Sequence, residues 1–202
     1  MKVALKKGEN CDILILRKNV RGKTMYIQTE RLVLRNARPA DAKAYHKMWN
    51  TPSVQKFNVM NPPDMERAMA AVEKDAASEK VLYIQPKDGA DMIGQIFLTD
   101  DDLRYETGSC NISYSLMEEY AGRGYMTEAL AAAIAYAFDT LGMEMVASRV
   151  FLENEASHRV LNKLGFVKEG VLRRAVRGID GTVFDDVVYS MTRQEYETQK
   201  GK

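Results

Sequence analysis

The stretch Tyr120-Ala121-Gly122-Arg123-Gly124-Tyr125-Met126-Thr127-Glu128 constrains the fold more than any other part of the chain. It stands where the apolar period changes from that of strands to that of a helix. Before it, Val81 to Gln85, Met92 to Leu98 and Ser109 to Leu116 read as three strands of an antiparallel meander. They are separated by Lys87-Asp88-Gly89 and by an acidic turn at Asp100 to Asp102. After it, Leu130, Ile134, Phe138 and Leu141 fall on one helical face, with Thr127 as the expected cap and Gly142 as the stop. Glycines at such a junction let main-chain N–H groups turn inward, and the unpaired N–H groups of a helix start favour phosphate oxygens. A plain tight turn is the alternative at this point. A Walker loop would end in Gly-Lys-Ser/Thr, and a dinucleotide fingerprint would place a third glycine at Thr127, so both of those motifs fail.

The other elements follow from the same rules. Ile27, Leu32, Val33 and Leu34 predict a strand over Tyr26 to Asn36, ended by Arg38-Pro39-Ala40-Asp41. Asp41 to Trp49 reads as a short helix. Asn61-Pro62-Pro63-Asp64 supplies a breaker and a cap for a second helix whose face is Met65, Met69, Val72 and Ala76, the methionines serving as core filler. Met145 to Val150 reads as a strand and Glu155 to Leu164 as a helix stopped by Gly165. The order is βααβββαβαβ, then a late strand near Val183 to Met191, which makes an α/β (α+β) fold.

At 202 residues and 46% hydrophobic content, the length suits one sizeable core. Residues 1 to 24 hold seven Lys/Arg against two acids and read as a basic extension, flexible or adding a strand, ahead of a single domain over 25–202. The rest carries 22 Lys/Arg against 26 Asp/Glu, a net −4 that disfavours a nucleic-acid footprint and suits a cationic amine. No apolar run approaches the roughly 20 residues of a membrane helix, and the basic start lacks the apolar stretch of a signal peptide. Two cysteines, Cys11 and Cys110, fit a reducing, cytoplasmic setting, and His46 and His158 with no clustered partners predict no metal.

A second feature is Asn154-Glu155-Ala156-Ser157 at the start of its helix, where Asn154 and Ser157 project from one face; a simple cap by Asn154 is the alternative. The two features belong to a longer series. Ile27-Gln28-Thr29-Glu30-Arg31-Leu32-Val33-Leu34-Arg35, Ile93-Gly94, Gly122 to Leu130, Asn154 to Ser157 and Leu164-Gly165-Phe166 occur in this order. Over about residues 26 to 196 the chain resembles the GNAT superfamily, and within it the branch with bacterial ribosomal-protein N-terminal (alanine) acetyltransferases.

The resemblance implies the acyl-CoA N-acyltransferase fold, a central mixed, mostly antiparallel sheet flanked by helices. It implies acetyl-CoA as cosubstrate and direct transfer of acetyl to a primary amine. Gly122, Arg123, Gly124, Tyr125, Met126 and Thr127 would hold the pyrophosphate. Leu116 and Met117 would pair with the pantetheine arm at a bulge, Asn154 would contact that arm, and Ser157 would protonate the departing thiolate. The family usually places Gln or Arg three residues before the first glycine; here that position is Glu119, which removes side-chain help to the phosphates. The chemistry also needs a base for the amine and an N–H donor for the oxyanion, the latter expected near Leu116. Glu106, Asp185 and Asp186 are candidate bases, each equally a solvated carboxylate. Cys110 lacks an activating histidine motif, against a covalent acyl-enzyme.

The acceptor is expected to be a protein N-terminus, with a polyamine or an antibiotic or metabolite amine as the competing reading. A non-catalytic CoA-binding module, and nucleic-acid binding through residues 1 to 24, are the rivals of other classes. Asn58 to Asp64 and Arg173 to Thr182 are expected substrate loops, and the chain is expected to act as a monomer or homodimer.

Overall fold

The computed structural model describes Leu14–Ile15 and residues 25–89 and 91–201. Apart from Leu14–Ile15, the basic extension read over residues 1 to 24, Cys11 included, lies outside the described residues. Among them are the strands β1 (Leu14–Ile15), β2 (Tyr26–Gln28), β3 (Leu32–Arg35), β4 (Val81–Pro86), β5 (Gly94–Asp100), β6 (Ser109–Leu116), β7 (Met145–Phe151), β8 (Val167–Arg177) and β9 (Val183–Thr192). Their order is β1-β2-β3-β4-β5-β6-β7-β9-β8, an open sheet. The β6/β7 pair is parallel and the other pairs with a defined register are antiparallel, giving the mixed, mostly antiparallel sheet that the sequence implies. Helices accompany the strands, and the chain forms two compact units. One takes in residues up to 55, 62–97 and 114–133, the other 56–61, 98–113 and 134–202.

In the first unit, Tyr26 to Asn36 is not one strand. It is the β2–β3 hairpin, with Ile27 opposite Leu34. Thr29 N–H donates to the Leu32 carbonyl at 3.0 Å, and Thr29 Oγ1 accepts the Leu32 N–H at 3.0 Å. A threonine side chain thus closes a turn that no glycine or proline marks. Arg35, at the end of β3, is 3% exposed and meets Asp41 through two bonds of 2.8 Å. Its Nε also donates to Gln85 Oε1 at 2.7 Å. Asp41 in turn accepts the Arg38 N–H, which fixes the entry to α1 (Ala42–Trp49).

The short α2 (Pro52–Gln55) precedes α3 (Met65–Ala76), which Asp64 caps as the sequence implies, accepting the Arg67 N–H at 2.8 Å. The methionine reading fails here. Met65 and Met69 are 40% and 59% exposed, and Ala68, Val72 and Asp75 form the buried face. Both sets satisfy helical spacing, so periodicity alone does not choose between them. The core these residues join includes Tyr45, Met48, Trp49, Tyr83 and Met92. The N-terminal part of α4 (Tyr125–Asp139) also belongs to this unit.

In the second unit, α4 ends with Met143 N–H on the Ala137 carbonyl at 3.0 Å, and α5 (Glu155–Lys163) follows β7. The loop read over Arg173 to Thr182 is shorter than expected, because Arg173–Arg177 belong to β8. They pair with β9 across register shifts at Lys168/Gly170 and Leu172/Val176. Bulges break the alternation of apolar residues that marks a strand in sequence. A final helix, α6 (Arg193–Lys200), is absent from the sequence reading although Thr192-Arg193-Gln194-Glu195 is a capping box. Arg193 donates to the Phe138 and Met143 carbonyls, and Tyr196 stacks on Phe138 at 4.6 Å. No helix of the described residues is long and apolar enough to cross a membrane.

Replacing Asp41 with alanine leaves the Arg35 guanidinium buried without its counter-charge and is expected to cost about 3–5 kcal/mol in urea unfolding. Lys47→Ala, which removes the solvent-exposed ion pair with Glu119, is expected to leave the unfolding midpoint unchanged.

Candidate active site

The glycine-bearing junction lies wholly in the first unit. β6 ends at Leu116, after which Met117 N–H donates to the Ile93 carbonyl at 2.8 Å and the Met117 carbonyl accepts the Tyr120 N–H at 3.0 Å. Both main-chain groups of Met117 are therefore engaged within the protein. A side chain at Gly94 would place its Cβ 2.6 Å from the Ser115 carbonyl oxygen, so the close approach of β5 and β6 here depends on glycine. A 3-10 turn, Glu118–Tyr120, leads into the loop.

Gly122 and Gly124 have φ of 74° and 78°, the left-handed region that side chains rarely adopt. The Gly124 carbonyl accepts the Glu128 N–H at 3.1 Å, so α4 starts at Tyr125 and Thr127 lies inside its first turn instead of capping it. Helix geometry leaves the N–H groups of Tyr125, Met126 and Thr127 without intrahelical acceptors, at the positive end of a 15-residue dipole. Met126 is buried, so its side chain packs inward while its main chain borders the loop. The Arg123 guanidinium lies 5.6 Å from the centre of the Tyr120 ring. Glu119 is ion-paired with Lys47 at 2.5 Å, so its charge is balanced within the protein.

Sequence reasoning missed the grip on this loop. Glu128, in the first turn of α4, accepts from Thr29 Oγ1 at 2.5 Å and from the Arg31 main-chain N–H and Nε at 2.7 Å each. Arg31 Nη1 donates to the Arg123 carbonyl at 2.9 Å, and the guanidinium lies 4.7 Å from the centre of the Tyr125 ring. Burial alone would raise the Glu128 pKa, but the bonds from Thr29 and Arg31 and the arginine charge outweigh it and hold the carboxyl below its ordinary value. Thr29, Arg31 and Glu128 stand in the motif blocks of the sequence, yet a separation of 97 positions between Arg31 and Glu128 leaves no local sign that they meet.

The second unit holds the other candidates. The parallel β6/β7 ladder covers Ser109 to Asn111 against Met145 to Ala147, and Ser148 Oγ then donates to the Ile112 carbonyl at 2.9 Å. Beyond β7, Asn154 caps α5: its Oδ1 accepts the Ser157 N–H at 3.2 Å, leaving the amide NH₂ to offer elsewhere. Ser157 stands in that first turn, half-buried. His158 bonds Tyr189 Oη at 3.0 Å and the Leu152 carbonyl at 3.1 Å. Because a carbonyl only accepts, Nε2 carries the proton and Nδ1 accepts from the tyrosine.

The candidate bases are all in this unit. Asp186 is buried and ion-paired with Arg149 at 2.9 Å; burial pushes its pKa up against the pull of the arginine. Asp185 accepts the Arg174 N–H at 2.6 Å, and Glu106 is exposed with φ of 52°. Cys110 is buried in β6. Among the described residues, no group of three or more His, Cys, Asp or Glu is placed to hold a metal.

Known proteins resemble this chain in sequence and in fold. The description "Acetyltransferase (GNAT) domain" matches residues 31–167. "Uncharacterized N-acetyltransferase YoaA" of Bacillus subtilis (strain 168) is 30% identical over 177 residues, 83% of this chain and 96% of the relative. The "[Ribosomal protein uS5]-alanine N-acetyltransferase" of Escherichia coli (strain K12) is 33% identical over 88 residues, 44% of this chain and 45% of that enzyme. The structure titled "Mycobacterium smegmatis RimJ in complex with CoA-disulfide" has the same fold, with a TM-score of 0.70 at 22% identity, covering 91% of this chain and 88% of that one. The chain belongs to the GNAT acetyltransferase family and is an N-acetyltransferase.

Gly124→Ala puts a Cβ on left-handed backbone and 3.4 Å from Arg31 Nη2. It is expected to strain the loop and cost about 1–3 kcal/mol in urea unfolding. A carboxyl with a lowered folded pKa adds stability above the ordinary glutamate pKa of about 4.3, and that stability is lost as pH falls through the lower folded value. Acid unfolding of Glu128→Gln is expected to show a shallower dependence on pH through that window than the parent protein.

Proposed function

We propose that this enzyme transfers acetyl from acetyl-coenzyme A to a protein N-terminus by direct attack in a ternary complex, in the cytoplasm. The observation that carries the reading is the cradle after Tyr120. Two left-handed glycines deliver main-chain N–H groups to the positive end of α4, with cationic side chains beside them. That donor set fits a diphosphate, whose oxygens accept and do not donate. Residues Gly122, Arg123, Gly124, Tyr125, Met126 and Thr127 would hold it, and the pantetheine arm would run along the main chain at Leu116 and Met117. The main-chain groups of Met117 are bonded within the protein, which counts against its share of that role. A protein acceptor is supported by the name of the Escherichia coli relative, whose similarity reaches under half of this chain.

The transfer balances simply. The amine nitrogen bonds to the thioester carbonyl carbon, the C–S bond breaks, the amine gives up one proton and the thiolate takes one. An α-amino group, with a reference pKa of about 7.7 to 8.0, loses its proton far more readily than a lysine at about 10.4, which favours an N-terminus near neutral pH. Ser157 would give its hydroxyl proton to the thiolate and take one back from water, its main chain held by the Asn154 cap, and the Asn154 amide would contact the cofactor arm. No buried, unpaired carboxylate stands among the candidate bases, so water is the expected proton acceptor from the amine.

Purified protein is expected to release thiol from acetyl-coenzyme A with N-terminal peptides faster than with spermidine or aminoglycosides. The reverse order would replace the acceptor assignment, and no release with any amine would leave a binding module. Ser157→Ala is expected to lower kcat about 10- to 100-fold with little change in the KM for acetyl-coenzyme A. An equal loss in both would remove its role as acid.

A further inference from the structure

We infer that Arg31 is a positioning residue for the diphosphate loop, fixing its main chain from one side and neutralising there the negative charge of Glu128. The inference rests on the proposed coenzyme A site and adds to it a residue from a turn far away in the chain.

Arg31 uses each part of its fork. Nε pairs with Glu128 Oε2 at 2.7 Å, Nη1 holds the Arg123 carbonyl at 2.9 Å, and Nη2 lies 3.4 Å from where a Cβ on Gly124 would stand. The guanidinium covers the Tyr125 ring at 4.7 Å, and the Tyr125 and Tyr120 rings are 6.3 Å apart. The turn that carries Arg31 is itself held. Lys87 N–H donates to the Arg31 carbonyl at 2.9 Å, and Lys87 Nζ donates to the Thr29 carbonyl. Thr29 Oγ1 adds a bond to Glu128.

A clamp that only joined the β2–β3 turn to α4 would need no more than Thr29, the Arg31 main chain and Glu128. The bond to the Arg123 carbonyl and the contact with Tyr125 act on the loop instead, between the two left-handed glycines and the helix. Electrostatics gives the same answer. Glu128 places a negative charge in the first turn of the helix that is to receive an anion, and unpaired it would oppose a diphosphate. Arg31 cancels that charge and leaves the helix dipole unopposed. Its side chain is 43% exposed, so a ligand in the loop can reach it. Lysine, a single point charge, cannot bridge Glu128 and the Arg123 carbonyl as the planar fork does.

The test compares parent, Arg31→Met and Arg31→Lys proteins with acetyl-coenzyme A and with S-acetylpantetheine, which ends before the diphosphate. Thermal unfolding without ligand is measured alongside. Arg31→Met is expected to raise the KM for acetyl-coenzyme A about tenfold or more, with kcat changed far less. The preference for acetyl-coenzyme A over S-acetylpantetheine, as a ratio of kcat/KM, should shrink by the same factor. Arg31→Lys should keep the fold but still lose about fivefold in that ratio. The role is overturned if either variant keeps the parent's ratio, or if both donors lose activity equally, as general destabilisation would cause. A parent protein that transfers acetyl equally well from both donors would instead refute the diphosphate site, and the role of Arg31 with it.

Discussion

Three donors converge on the Glu128 carboxylate, and all three come from the turn between β2 and β3. Few interactions in the first unit reach so far along the chain, and the start of α4 depends on it. Tyr125 is the first helical residue, Gly124 supplies the opening carbonyl, and Arg31 holds the Arg123 carbonyl between the two glycines. A loop that binds by its main chain needs such restraint, because each amide must already point at the ligand when it arrives. The lowered pKa of Glu128 is the same restraint seen as a proton equilibrium.

The acidic neighbours of the loop are each paired with a cation. Glu119 is balanced by Lys47 and Glu128 by Arg31, which leaves the helix dipole and Arg123 as the local field. The second unit follows another logic. Asn154 closes the first turn of α5 around Ser157, and His158 is fixed between Tyr189 and the Leu152 carbonyl. The capping amide still has donors left over there, because only its oxygen is used by the helix.

Local signals were read well where the physics is local. β6 matches its expected bounds, and Asp64 caps α3 as expected. Gly142 follows the end of α4, and Gly165 follows α5. Errors arose where a side chain or a distant partner decides. Thr29 closes the β2–β3 turn, so one expected strand became two. Met65 and Met69 have the spacing of a buried face, but Ala68, Val72 and Asp75 take it. The strand expected between α5 and the late strand is β8, but its register shifts break the apolar alternation that would set its bounds, whereas the capping box of α6 is legible in the sequence.

The sequence by itself determined the elements, the glycines that permit left-handed main chain, the cap at Asn154 and the family to which they belong. These depend on neighbours within a few residues, where steric limits and hydrogen-bond reach act directly. Only the tertiary structure decided that Arg31 grips Glu128 and Arg123, that Asp186 is tied to Arg149 and that the methionines of α3 face outward. Side-chain pairs separated by 37 to 97 residues leave no period or spacing in the sequence, because it is the packing of the whole chain that brings them within bonding distance.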